Sequence, residues 1–232
     1  MKYTYLLVNL CSIAIPLAFS FEGKLQFYKK WKALFPALLI PALLFIIWDS
    51  LFTAQGVWGF NEQYLTGIKL YNLPLEEVLF FFCIPYCCVF SYEVLNYFFK
   101  QDLLGKYARY GATILAYMLV AIAFQYSDLS YTFYTAIFTL AFLLLHLVIL
   151  KKPYWSRLVF AYLVILIPFF IVNGILTGTG LENPVVWYND AENLGIRLLS
   201  IPIEDSIYGF LLIGANVTIF ETVKMKNEEG KT

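Results

Sequence analysis

A chain of 232 residues that is 61% hydrophobic, 19% aromatic and only 14% charged carries more apolar surface than a soluble core of that size hides. Its mean hydropathy is +0.71 and its formal charges cancel, which argues against nucleic acid or acidic soluble partners. The composition describes one integral membrane domain, all-α, with no soluble domain attached.

In chain order, seven stretches are long and apolar enough to span a bilayer: 3–21, 34–53, 75–98, 108–126, 130–149, 157–177 and 203–223. The first is a lysine followed by an apolar run ending near Ala18-Phe19-Ser20, as a signal peptide is. It is read as a span because it has a partner later in the chain. The third and seventh carry acids at both ends. Only 127–129 separates the fourth from the fifth, which predicts a tight turn between antiparallel neighbours. Loops 54–74 and 178–202 carry Gly, Asn and Pro and are expected to fold over one face.

Basic residues set the expected orientation. Lys24, Lys29, Lys30 and Lys32 follow the first segment, and Lys100, Lys106 and Arg109 the third. Lys151, Lys152 and Arg157 follow the fifth, and Lys224, Lys226 and Lys231 the seventh. That puts 13 of the 16 Lys and Arg on one side, leaving Lys2, Lys69 and Arg197 on the other. The positive-inside rule places the N-terminus outside and the C-terminus in the cytoplasm, in a multi-pass protein of the cytoplasmic membrane.

A shift of 128 residues aligns 61–93 with 189–221 without a gap. Asn61 meets Asn189, Gly67 meets Gly195, Lys69 meets Arg197, Pro74 meets Pro202, Glu76 meets Glu204, Glu77 meets Asp205 and Glu93 meets Glu221. The same shift lays Tyr3-Thr4-Tyr5 on Tyr131-Thr132-Phe133, and a shift of 124 puts Asp49 on Asn173. Apolar composition does not predict polar matches in register. The expected architecture is therefore a 3+1+3 parallel repeat: a first three-helix repeat over 1–98, a connector over 108–126 and a second repeat over 130–223.

Within the repeat, the boxes Pro74-Leu75-Glu76-Glu77 and Pro202-Ile203-Glu204-Asp205 each open an apolar segment. Proline suits the first helical turn and acids suit the positive end of the helix dipole, so one such box alone reads as an ordinary helix start. Acids at the mouth of a membrane segment are nevertheless costly, and two copies on one side, related by an axis, are able to converge on a shared pocket. Adjacent helical residues point about 100° apart, so only one acid of each box is expected to face inward, and Glu is retained at 76 and 204. Glu77 and Asp205 are expected to hydrogen-bond, cap or act as a second acid. Asp49 is a candidate to join them, and Phe80, Phe81, Phe82, Tyr208 and Phe210 line the sequence beside the boxes. Carboxyls in a dry pocket hold protons to higher pH, and aromatic faces suit a transient cation. The chemistry indicated is acid–base work on an apolar, membrane-dissolved substrate.

Other residues carry weaker signals. His146 is the only histidine and is read as packing, since one His builds no metal site. Cys11, Cys83, Cys87 and Cys88 are read as small core residues. Glu93 and Glu221 are expected to form interfacial ion pairs near Lys100 and Lys224.

The tandem Pro-x-Glu-Glu and Pro-x-Glu-Asp boxes in a small seven-span chain resemble the fused form of the heterodimer-type, non-flavin carotenoid lycopene cyclases. Relatives of this kind occur as two short polypeptides, as a fusion, or, in fungi, as a fusion joined to a phytoene synthase. No phytoene synthase portion is expected here, because the chain ends soon after the seventh segment. The resemblance implies lycopene β-cyclase activity, converting lycopene through γ-carotene to β-carotene as an isomerisation without net redox change. It supports Glu76, Glu77, Glu204 and Asp205 as the acids, and leaves open which gives and which takes the proton. It implies lycopene and other membrane-dissolved carotenoids, the lipid bilayer and other carotenoid enzymes as partners. No G-x-G-x-x-G follows a strand, so no flavin or nicotinamide cofactor is expected, and the lone His146 gives no expectation of a metal. A small transporter shares the 3+1+3 plan, but keeps its polar residues near the midplane. A retinal-binding seven-span protein needs a lysine inside the seventh segment, and Lys224 and Lys226 lie beyond it.

Overall fold

The computed structural model describes residues 2–229; Lys231, one of the basic residues counted above, lies outside the described residues. Among the described residues seven α-helices form: α1 (Thr4–Phe19), α2 (Trp31–Gln55), α3 (Leu75–Phe98), α4 (Lys106–Gln125), α5 (Ser130–Leu144), α6 (Tyr154–Leu176) and α7 (Ile203–Glu229). A 3₁₀ turn (Phe27–Lys30) runs into α2, and a π-helical stretch (Leu145–Leu150) extends α5. Six of these helical runs are long and apolar enough to cross a membrane, so the chain is a multi-pass membrane protein. The first expected span differs. α1 is apolar but has only 16 residues, a rise of about 24 Å against a hydrocarbon core of about 30 Å.

Outward faces are apolar. On α2, Leu43, Leu44, Ile47 and Leu51 are exposed while Phe45, Asp49 and Phe52 are buried, the two-faced pattern of a helix between lipid and protein. Cys11 corrects its expectation: it lies exposed on α1 near Leu7, Leu10 and Ile15, whereas Cys83 and Cys88 are buried in α3.

The chain forms two compact units. The first comprises residues 1–54, 61–100 and 212–232, and the second 55–60 and 101–211. In the first, α1 runs along α3, and Phe27 is fully buried among Tyr86, Phe90 and Phe220. Glu93 is buried and paired with Lys30 and Lys224 (3.0 Å), and Lys224 also reaches Glu221 (3.3 Å), which accepts from the Tyr92 hydroxyl. The ion pairs expected of Glu93 and Glu221 with Lys224 are thus present, with Lys30 as a further partner of Glu93; Lys100 sits 4.9 Å from the Tyr97 ring centroid. In the second unit His146 packs between Phe142 and Trp155, each 4.6 Å away between centroids. That agrees with its reading as a packing residue.

Short strands link the helices: β1 (Trp58–Phe60), β2 (Lys69–Leu70), β3 (Leu73–Pro74), β4 (Val186–Tyr188), β5 (Arg197–Leu198) and β6 (Ile201–Pro202). β2–β3 and β5–β6 are tight antiparallel hairpins, in register Lys69↔Pro74 and Arg197↔Pro202. β1 pairs antiparallel with β4, with Trp58 opposite Tyr188. The segment carrying β1 follows α2 in sequence yet belongs to the second unit.

Candidate active site

Each box is presented by a hairpin. The prolines do not occupy the first helical turn, as expected from sequence. Pro74 is the extended N-cap of α3 (φ −64°, ψ 146°) and closes β3, and Pro202 closes β6. The physical reason is that the hairpin ladder ends there, where the imide nitrogen has no hydrogen to donate. The helix then opens on the next residue, whose N–H reaches back across the hairpin: Leu75 to the Ile68 carbonyl and Ile203 to the Ile196 carbonyl, both 2.9 Å. The hairpin turn is also tied to the preceding helix in each unit. Asn72 donates to the Ser50 carbonyl (2.8 Å), and Ser200 to the Gly174 carbonyl (3.3 Å).

All four acids are buried, against the expectation that one of each pair faces inward. Glu76 is 0% and Glu204 4% exposed, and Glu77 and Asp205 are also buried. Both directions from the helix start meet protein because α1 covers α3, and because α5, α6 and β4 each bring a side chain to the start of α7.

The first acids are held alike. Glu76 Oε1 accepts from the Thr66 N–H (2.6 Å) and Glu204 Oε1 from the Leu194 N–H (2.8 Å), donors 128 residues apart. Glu204 Oε1 also accepts from the Thr132 hydroxyl (2.6 Å). In both residues Oε2 is buried without a hydrogen-bond partner among the described residues. The second acids are held by phenols. Tyr5 donates to Glu77 Oε2 and Tyr131 to Asp205 Oδ1, each at 2.5 Å. Asp205 Oδ2 accepts further bonds from Tyr188 (2.9 Å) and Asn173 (3.2 Å).

The two phenols stand 126 residues apart, not 128, which corrects the alignment of the first and fifth segments. Tyr3, the residue laid on Tyr131 by the sequence shift, sits before α1 with φ 76° and is exposed. Of the supporting candidates, Asp49 is buried in the first unit, Phe80 meets the Tyr5 ring at 6.2 Å, and Phe81 is buried against Phe45 and Phe80. Tyr208 lies beside Tyr131 and Trp58 in the second unit. Sequence reasoning missed Tyr5, Tyr131, Thr132, Asn173, Tyr188 and Trp58. Asn173 had a pointer through its alignment with Asp49, and Tyr5, Tyr131 and Thr132 through the repeated segment starts.

A family described as lycopene cyclase matches residues 2–95 and 128–223. A bifunctional lycopene cyclase/phytoene synthase of Phycomyces blakesleeanus is 38% identical over 65 residues, 27% of this chain and 11% of that protein. Lycopene β-cyclases of Halobacterium salinarum strains R1 and NRC-1 are each 37% identical over 68 residues, 29% of this chain and 24% of theirs. These matches thus take in only a small part of the curated relatives' length. No solved structure matches the chain at a significant level. With both acid boxes inside the matched stretches, the chain belongs to the lycopene cyclase family.

Proposed function

We propose that the chain is a lycopene β-cyclase, closing the acyclic ends of lycopene in two rounds to give β-carotene through γ-carotene. A protonated carboxyl adds its proton to the terminal double bond, leaving a tertiary carbocation. The electron pair of the neighbouring double bond forms the ring bond and moves the charge along the chain. Loss of a ring proton to a carboxylate leaves the pair of its C–H bond as the ring double bond and quenches the cation, so the product is an isomer of the substrate with no net redox change. Glu76, Glu77, Glu204 and Asp205 supply these carboxyls.

The observation that carries this reading is the shared wiring of Glu76 and Glu204. Each fixes one oxygen on a backbone N–H and leaves the other buried without a hydrogen-bond partner among the described residues. A carboxyl in that state has an oxygen free to carry a proton toward an apolar substrate. The charge distribution supports an N-terminus outside and a C-terminus in the cytoplasm, and the hairpin bonds repeated 128 residues apart support a 3+1+3 repeat. The direct test is expression in a bacterium that accumulates lycopene, with separation of the pigments. β-Carotene is the expected product; lycopene persisting beside membrane-inserted protein overturns the proposal.

A further inference from the structure

Trp58 is the residue of the second unit that its place in the sequence explains least. β1 carries it to the antiparallel partner β4, and its side chain is buried (6% exposed). Its ring centroid lies 5.1 Å from that of Tyr131, 6.2 Å from Tyr188 and 6.4 Å from Tyr208, at interplanar angles of 78°, 65° and 80°. Tyr131 and Tyr188 are stacked at 5.8 Å, and both phenols end on Asp205. Four rings are therefore gathered beside one carboxylate.

Trp and Tyr also gather at membrane interfaces, where rings lie at headgroup level and polar tips reach water. This cluster is arranged differently: Trp58 and Tyr131 are buried, and the Tyr131 and Tyr188 hydroxyls bind an internal acid. Asp205 accepts three hydrogen bonds on two oxygens, an arrangement suited to a carboxylate acting only as acceptor. The cluster already engages one cation, since Arg197 lies 5.5 Å over the Tyr188 ring. Ring faces and a carboxylate together favour positive charge, and they do so without donating a hydrogen bond to it. A hydrocarbon cation needs that environment.

We propose that Trp58, with Tyr131 and Tyr208, forms the wall that stabilises the carbocation of the cyclisation, with Asp205 as its counter-charge. This rests on the cyclase reading above. Trp58→Phe and Trp58→Leu are compared with the unaltered chain in lycopene-accumulating cells, with protein quantified in the membrane fraction and each product's end groups identified. Trp58→Phe, which keeps a ring face, is expected to lower cyclisation about threefold. Trp58→Leu is expected to lower it about tenfold or more and to change where the final double bond forms. An unchanged rate and product in Trp58→Leu, or equal losses in both variants, overturns the proposal. If the Trp58 variants do not accumulate, Tyr208→Phe and Tyr208→Leu are read in the same way. No cyclic product from the unaltered chain overturns the cyclase reading, and the wall with it.

Discussion

The two acids of a box are bonded differently: Glu76 and Glu204 to a backbone N–H, Glu77 and Asp205 to a phenol. A carboxyl with one oxygen anchored and the other unpartnered has one position at which to hold a proton, whereas a carboxylate saturated by phenols and an amide is held still as an acceptor. Glu76→Gln and Glu204→Gln keep the shape and remove the titrating proton, so each is expected to lower formation of both rings by about 10²–10⁴-fold, measured by pigment yield per membrane protein. Accumulation of γ-carotene by one variant alone assigns the boxes separate rounds instead. Tyr131→Phe leaves Asp205 with Tyr188 and Asn173, and its smaller expected effect is about tenfold, from a charged hydrogen bond of about 1.5–3 kcal/mol partly made up by the donors that stay. The acids were legible in the sequence because four carboxyls in register stand out in an apolar background. The phenols were less so: with 18 tyrosines in the chain, only the repeated segment starts point to Tyr5 and Tyr131.

At the scale of elements, the hairpins before the boxes contain an unexpected conformation. Each turn has two residues, and the first, Tyr71 (φ 59°) or Leu199 (φ 61°), is in the left-handed region that glycine favours. These side chains are 88% and 79% exposed, so within the chain little packing offsets the conformation. Leu199→Gly is expected to stabilise the fold by about 1 kcal/mol, read as a higher melting temperature in detergent; an unchanged or lower value shows that the leucine is held there by something outside the chain, such as lipid. The hairpins escaped sequence reading because two-residue strands have no periodicity to detect. The prolines marked the helix starts to within one residue, since only their N-cap role differed.

For the whole molecule, the long helices were legible because hydropathy acts over some 20 residues and averages out local exceptions. Six of seven expected spans correspond to long apolar helices, while the first is a shorter helix lying along α3. Orientation rests on the basic residues. A phosphatase fused after residue 232 is expected to be inactive and a cytoplasmic reporter at the same point active; the opposite pattern reverses the topology. The division into units was not legible. Adjacency in sequence keeps 54–74 with the first half, whereas backbone pairing of three residues draws β1 to β4.

The units exchange segments in both directions. The first half of the chain lends Trp58 to the second unit, and α7 lends Glu221 and Lys224 to the first. A break in the chain between residues 100 and 106 thus leaves each piece without a segment of its unit. One fragment keeps Lys30 but lacks Lys224, the other partner of buried Glu93, and the second fragment lacks the indole packed on Tyr131. Each fragment is expected to complete its unit only with a segment carried by the other.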